Sequence, residues 1–227
     1  MVTAPYTLKL DRYSSHSVIV AWLGDGNGRR LLDVGAAGGL LSRPLSARGW
    51  RVTAVERNAA AARELDGACE RVIVADAEAL PPLGGPFHAI LYGDVLEHLR
   101  DPARVVRNVG RDLAPDGRVI VSVPNVAHLW IRLSLLAGRF EYADRGILDR
   151  THLRFFTKRT LWELLRAGGL RVRRWTATPV PLYQVVPERF HGAPLAAVHA
   201  LSAAVSRAVP RLLAYQFVVE AEEAEAG

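Results

Sequence analysis

Short runs of apolar residues alternate with helical periodicities through the first half of the chain, a rhythm that predicts βαβ units and a parallel sheet. Residues 30–34 (RLLDV) are dominated by apolar side chains, as a strand buried on both faces should be. A helix is predicted over 39–48 with Gly49 as its stop, a second strand over 51–55, and an alanine-rich helix from Asn58 to about Gly67. A third strand is expected over 72–75 and a fourth over 87–92. A helix over 101–113 precedes the turn Pro115-Asp116-Gly117, and a fifth strand over 118–123 is ended by Pro124.

Beyond Pro124 the rhythm changes. Thr157 reads as the N-cap of a helix ending at Ala167, with Gly168-Gly169 as its stop. Strands six and seven are expected over 170–176 and 212–220. Two connections, 125–156 and 179–210, are longer than ordinary loops and read as lid or interaction insertions. The first is rich in aromatics, and Trp130, Leu133 and Leu136 have the helical spacing of a packed cap face. The second carries a predicted helix over 195–209, whose nearly uncharged apolar face fits core packing or a homodimer contact. Residues 1–29 are read as an N-terminal cap helix, and the acidic end EAEEAEAG as a frayed tail.

Composition narrows the class. With 227 residues, 50% hydrophobic and 23% charged, the chain reads as one globular domain, neither disordered nor fibrous. The opening MVTAPYTLKLDRYSSH is too polar for a signal peptide, and no stretch approaches the roughly 20 apolar residues that span a bilayer. Cys69 is the one cysteine, so neither an internal disulfide nor a multi-cysteine metal site is available, and a cytoplasmic protein is expected. The net charge of +6 raises the question of nucleic acid. Only Lys9 and Lys158 are lysines, the arginines are scattered, and Arg171, Arg173 and Arg174 read as the solvated face of a strand. No nucleic-acid partner is expected.

The chemistry concentrates in LLDVGAAGGLLSRPL, Leu31 to Leu45, where a buried strand enters a small-residue turn and then a helix. Such a turn lets a ligand approach the backbone and offers it unpaired N–H groups. Alone it is weak evidence. Three acids strengthen it, each at the carboxyl end of a predicted strand, where open α/β sheets bind ligands. Glu56 follows Gly35 by 21 residues and suits a pair of ribose hydroxyls. Asp76-Ala77 offers an acceptor for an adenine amino group beside a small residue, and Asp94 lies in GDVLEHL.

In these residues the chain resembles the class I S-adenosylmethionine-dependent methyltransferases, closest to the branch of small-molecule enzymes that includes the ubiquinone-biosynthesis type. The resemblance is strongest over residues 31–123 and continues through DRTHLRFFT to the AYQFVV strand. The family's D/E-x-G-x-G-x-G motif reads here Asp33-Val34-Gly35-Ala36-Ala37-Gly38-Gly39, with Ala37 in place of the middle glycine. The resemblance implies a Rossmann-like, doubly wound seven-stranded sheet, mostly parallel with strand seven antiparallel, carrying a helical and aromatic cap insertion. It implies S-adenosyl-L-methionine as cofactor, held by Asp33, Gly35, Ala36, Ala37, Gly39, Glu56, Arg57, Asp76, Ala77, Asp94 and Val95. Asp33 or nearby backbone would take the amino group, Glu56 the ribose, and Asp76 with Ala77 the adenine, while Asp94 and Val95 border the methionine end.

The implied reaction is methylation of a small molecule at oxygen, nitrogen or carbon, on a sugar, quinone-type or secondary-metabolite acceptor. His98 and His152 are the candidate bases, and nothing in the sequence calls for a metal. Asp94 and Glu97 also have the spacing of a capping box at a helix start. His16 reads as an ordinary capping residue or as a side chain closing over the cofactor. Two other readings stand beside the enzyme: a fold that binds the cofactor without catalysis, and an NAD(P)-dependent oxidoreductase. Against the latter, the G-A-A-G-G turn is not a clean G-x-G-x-x-G, and neither lysine completes a Tyr-x-x-x-Lys pair.

Overall fold

A computed structural model describes residues 11–224. Helix α1 (Ser15–Leu23) precedes β1 (Arg30–Val34), α2 (Ser42–Ser46), β2 (Arg51–Glu56), α3 (Ala59–Arg63), β3 (Arg71–Val74) and β4 (Phe87–Gly93). Then come α4 (Pro102–Arg107), β5 (Leu113–Pro124), α5 (Leu129–Leu136), α6 (Lys158–Ala167), β6 (Leu170–Thr178), α7 (Leu182–Val185), α8 (Ala193–Ala208), α9 (Pro210–Leu213) and β7 (Gln216–Glu223). The strands form one sheet in the order β3-β2-β1-β4-β5-β7-β6. β1 to β5 pair in parallel, and β7 runs antiparallel between β5 and β6. The seven-stranded, mostly parallel sheet implied by the resemblance is therefore present.

Period-two alternation builds a core on each face. Leu32, Ile90, Val119, Val121 and Phe217 point to one face, where Val105 and Val106 of α4 and Leu161 and Leu165 of α6 cover them. Their neighbours Leu31, Leu91, Ile120 and Val218 point to the other, under Val18, Ile19 and Leu23 of α1 and Leu45 of α2. Each such side chain, fully buried, contributes about 1.5–3 kcal/mol.

The cap expected over 1–29 is α1, and its first ten residues lie outside the described part. Ser14 is its N-cap, accepting from the Ser17 amide; His16, buried, does not cap it. At the other end the Arg118 guanidinium donates to the Trp22 and Leu23 carbonyls at 3.1 and 2.9 Å, satisfying orphan acceptors of the last turn.

Several boundaries differ from the sequence expectation. The helix predicted over 39–48 is α-helical only over Ser42–Ser46, because its first residues are committed to the turn that leaves β1. The helix predicted over 101–113 ends at Arg107 and gives way to a 3-10 turn, Val109–Arg111. Pro115-Asp116-Gly117, expected as a turn before strand five, lies within β5 as a bulge, where the pairing with β4 shifts register between Phe87 and Ala89. Strand seven begins four residues later than predicted, since Pro210 starts α9 in its place. The acidic end is not frayed as far as it is described. Glu220 lies between Arg118 (3.4 Å) and Arg174 (2.8 Å), and Glu222 pairs with Arg171 and, at 3.2 Å, Arg173. Opposite charges on facing strands carry β7 through Glu223, so the arginines of β6 are a paired face.

The segment 125–156 contains α5, whose single buried residue is Ile131, packed in a cluster with Ile147 and Leu148. Trp130, Leu133 and Leu136 are 70%, 50% and 84% exposed, which corrects the expectation that they form a packed cap face. The segment is helical as its spacing implies, but the side that docks is set by Ile131.

Candidate cofactor and acceptor site

The turn leaving β1 is tied to the end of β2. Gly35 and Ala36 donate their amides to the Val55 carbonyl at 2.8 and 3.0 Å, and Ala37 donates to Glu56 Oε2 at 2.8 Å. Glu56 Oε1 accepts from the Asn58 amide at 2.7 Å, so one carboxylate spans both strand ends. Gly35 has φ +74°, and a Cβ there would lie 2.5 Å from Val95 Cγ2, so glycine is required on both counts. Ala37, where the family motif has glycine, holds φ +48° in the same left-handed region. The backbone thus adopts the glycine conformation despite the substitution. Gly39 also has positive φ (+89°), with a would-be Cβ 2.8 Å from Leu65.

Beneath this turn Asp33 is 2% exposed, and its Oδ2 accepts from Ser42 Oγ at 2.6 Å. Burial pushes its carboxyl up to about 6, opposed by the Ser42 hydrogen bond and reinforced by the Glu56 charge. Arg57 and Asp76 are exposed past the ends of β2 and β3, with Ala77 half-buried beside Asp76. Asp76 Oδ1 accepts the Glu78 amide at 2.8 Å, fixing that turn.

Asp94 and Glu97 form no capping box. Leu96–His98 is a single 3-10 turn without a side-chain cap. Asp94, at φ +56°, donates its amide to both the carbonyl and the hydroxyl of Ser122 at 3.1 Å. Its carboxylate accepts from Ser122 Oγ at 2.6 Å and from Gln216 Nε2 at 3.0 Å to each oxygen. Gln216 in turn accepts from Ser15 Oγ of α1 at 3.1 Å. β4, β5, β7 and the N-terminal helix therefore converge on one carboxylate. Val95 is buried against Gly35. Ser122 and Gln216 carry no sequence signal, because Gln216 is 122 residues from its partner and only strand order brings them together.

The two candidate histidines meet. Leu153 and Arg154 donate their amides to the Glu97 carbonyl at 2.8 and 2.9 Å, docking the 149–157 segment on the turn after β4. The His98 and His152 rings stand edge to face with centroids 4.8 Å apart. His152 Nδ1 lies 3.0 Å from the Ile147 carbonyl, and His98 Nδ1 lies 3.2 Å from the Thr151 carbonyl. A carbonyl can only accept, so these partners place a proton on each Nδ1; the Thr151 Oγ1 lies 3.1 Å from the same His98 nitrogen. Burial, with His98 second, holds His152 below the ordinary histidine range, so its imidazole is neutral at pH 7. Glu97, 1% exposed, completes the group: one donor atom from each of Glu97, His98 and His152 lies within 4.8 Å of the others. Val126, Ile147, Phe155 and Phe156 wall the small pocket in front of it.

A doubly wound sheet with acids at the carboxyl ends of β2, β3 and β4 and a glycine-bearing turn after β1 is the frame of a Rossmann-like cofactor-binding domain. The chain belongs to the methyltransferase domain family, whose model matches residues 7–174. It is similar to a ubiquinone biosynthesis O-methyltransferase of Caulobacter sp. (strain K31), 37% identical over 141 residues, 56% of this chain and 55% of that protein. The match thus spans little more than half of that relative's length. Among solved structures it resembles magnesium protoporphyrin IX methyltransferase from Synechocystis PCC 6803 with bound SAH. That likeness has TM-score 0.60 and 18% identity, and covers 91% of this chain and 81% of that one. A Burkholderia thailandensis 1,6-didemethyltoxoflavin-N1-methyltransferase with bound S-adenosylhomocysteine matches at TM-score 0.58 and 19% identity, covering 93% and 77%. The cofactor that goes with this family is S-adenosylmethionine. The small-residue turn over residues 35–39 and the Glu56 carboxylate at the end of β2 fit it.

Proposed function

We propose that the chain methylates a hydroxyl oxygen of a small molecule, with His152 taking the acceptor's proton. The observation that carries this reading is the tautomer of His152. Its Nδ1 faces the Ile147 carbonyl and burial keeps the ring neutral, so its Nε2 stands as an acceptor beside Glu97, past the carboxyl end of β4. When bound, S-adenosylmethionine supplies an electrophilic methyl carbon on a sulfonium. The chain's own part is to orient and to accept a proton. Glu56 Oε1 and Oε2 keep lone pairs for the ribose hydroxyls, and Asp94, fixed by Ser122 and Gln216, presents a set charge to the methionine end. His152 Nε2 accepts the hydroxyl proton as the oxygen attacks, and Ile147 holds the ring still. The partial match to O-methyltransferases supports oxygen over nitrogen or carbon. No helix among the described residues is long and apolar enough to cross a membrane.

A panel of hydroxylated aromatic acceptors with labelled S-adenosylmethionine tests it. His152→Ala should lower kcat by about 10²–10⁴ while leaving cofactor affinity within about twofold; an unchanged kcat removes His152 as the base. A second reading rests on the same three donors, which converge closely enough to hold a divalent cation. Activity lost in EDTA and restored by Mn²⁺ or Zn²⁺ would favour it over proton transfer to histidine alone.

A further inference from the structure

We infer that a cavity between α5, α6, α9 and β6, apart from the cofactor turn, binds a small phosphate-bearing ligand with an apolar portion. Its volume is about 990 Å³, the upper end of the range for ligand sites. Four cations from three separate elements line it: Arg132 of α5, Lys158 and Arg166 of α6, and Arg211 of α9. Among the described residues none of the four has an ion-pair partner. The other cations on the lining are already matched, Arg159 by Glu163 at 3.0 Å and Arg171 by Glu222. Among the described residues the lining therefore carries an unbalanced positive charge, which an anion with several oxygens would neutralise.

Two of these groups are held in place. Arg132 Nε donates to the Ala127 carbonyl at 2.7 Å, which leaves its terminal nitrogens for a ligand. Lys158 Nζ stands 3.4 Å over the Trp175 ring centroid and 5.1 Å from that of Trp162. Burial, and after it the Arg211 charge, hold the Lys158 ammonium below the ordinary lysine range. Trp162, Leu170 and Val172 supply apolar surface, so the ligand is not a bare anion. A cavity with a compact charge cluster suits a small molecule; a polymer backbone would call for a continuous stripe. The arginines that look scattered in the sequence are gathered here by the fold. Ala127 and Thr157 on this lining immediately follow Val126 and Phe156, which wall the histidine pocket, so the two sites share a partition.

Calorimetric titration of the full chain with inorganic pyrophosphate tests this, since pyrophosphate has no adenosine to enter the cofactor turn. One-to-one binding with Kd below about 1 mM near physiological salt is expected. Arg166 and Arg211 are exposed, so the double variant Arg166→Ala, Arg211→Ala should fold and keep its S-adenosylmethionine affinity while losing about tenfold or more for pyrophosphate. Absence of binding at several times about 1 mM, or equal binding by the double variant, overturns the proposal. So does affinity found only for single-stranded oligonucleotides and rising with their length, which would make the cavity part of a nucleic-acid surface. None of these outcomes depends on methyl transfer.

Discussion

Asp33 is the buried charge whose removal tests the electrostatics of the cofactor turn most directly. Its carboxyl is raised from 3.8 to about 6, chiefly by burial. The folded state therefore holds a proton that the unfolded chain releases between about pH 4 and 6. Stability from this group is complete below the unfolded value and falls as pH rises through that window. A shift of roughly two units costs about 3 kcal/mol once Asp33 is ionised, at 1.36 kcal/mol per unit. An asparagine in its place would have the same shape, still accept the Ser42 hydroxyl at the position of Oδ2, and carry no charge. Asp33→Asn should stabilise the cofactor-free protein in urea unfolding by up to about 3 kcal/mol at pH 8, by about half of that at pH 5, and hardly at all below pH 4. The same variant should bind S-adenosylmethionine about tenfold more weakly if the charge is kept for the cofactor's ammonium. A variant less stable than the parent at pH 8, or a gain independent of pH, would refute the reasoning. Unchanged cofactor affinity would assign the ammonium to backbone alone.

Other expectations follow from the same geometry. Glu56→Ala should weaken S-adenosylmethionine binding by about 1.5–3 kcal/mol in calorimetry, and unchanged affinity would remove Glu56 from the site. Ala37→Gly relieves a left-handed alanine, worth about 1–2 kcal/mol, against about 0.5–1 kcal/mol of added chain entropy. Its melting temperature should rise slightly with cofactor affinity kept, and a lower melting temperature would show that Ala37 is not strained. Gln216→Leu strips the Asp94 carboxylate of its bonds to both oxygens, so a loss of about 1.5–3 kcal/mol in urea unfolding is expected, together with a raised KM for the cofactor. Full stability in that variant would mean that Ser122 alone holds Asp94.

What the sequence by itself determined is local. Short apolar strand runs, the small-residue turn after Asp33 and the acids closing strands two to four are each read from a short stretch between residues 30 and 94. They need only the rule that parallel sheets bind at their carboxyl edge. The Thr157 cap and the Gly168 stop were legible for the same reason. Strand seven was placed too early, because LLAYQFVVE reads as apolar from its start and only the helical turn begun by Pro210 settles where pairing begins. The exposure of Trp130, Leu133 and Leu136 was likewise illegible: helical spacing marks a stripe but not which stripe docks. Tertiary structure alone decided the rest. Asp94 meets Gln216, and His98 meets His152 over Glu97, through separations of 122 and 54 residues. Such pairs are selected by strand order and loop docking, and those follow from burying both faces of the sheet at once, a condition that no single stretch of sequence can express.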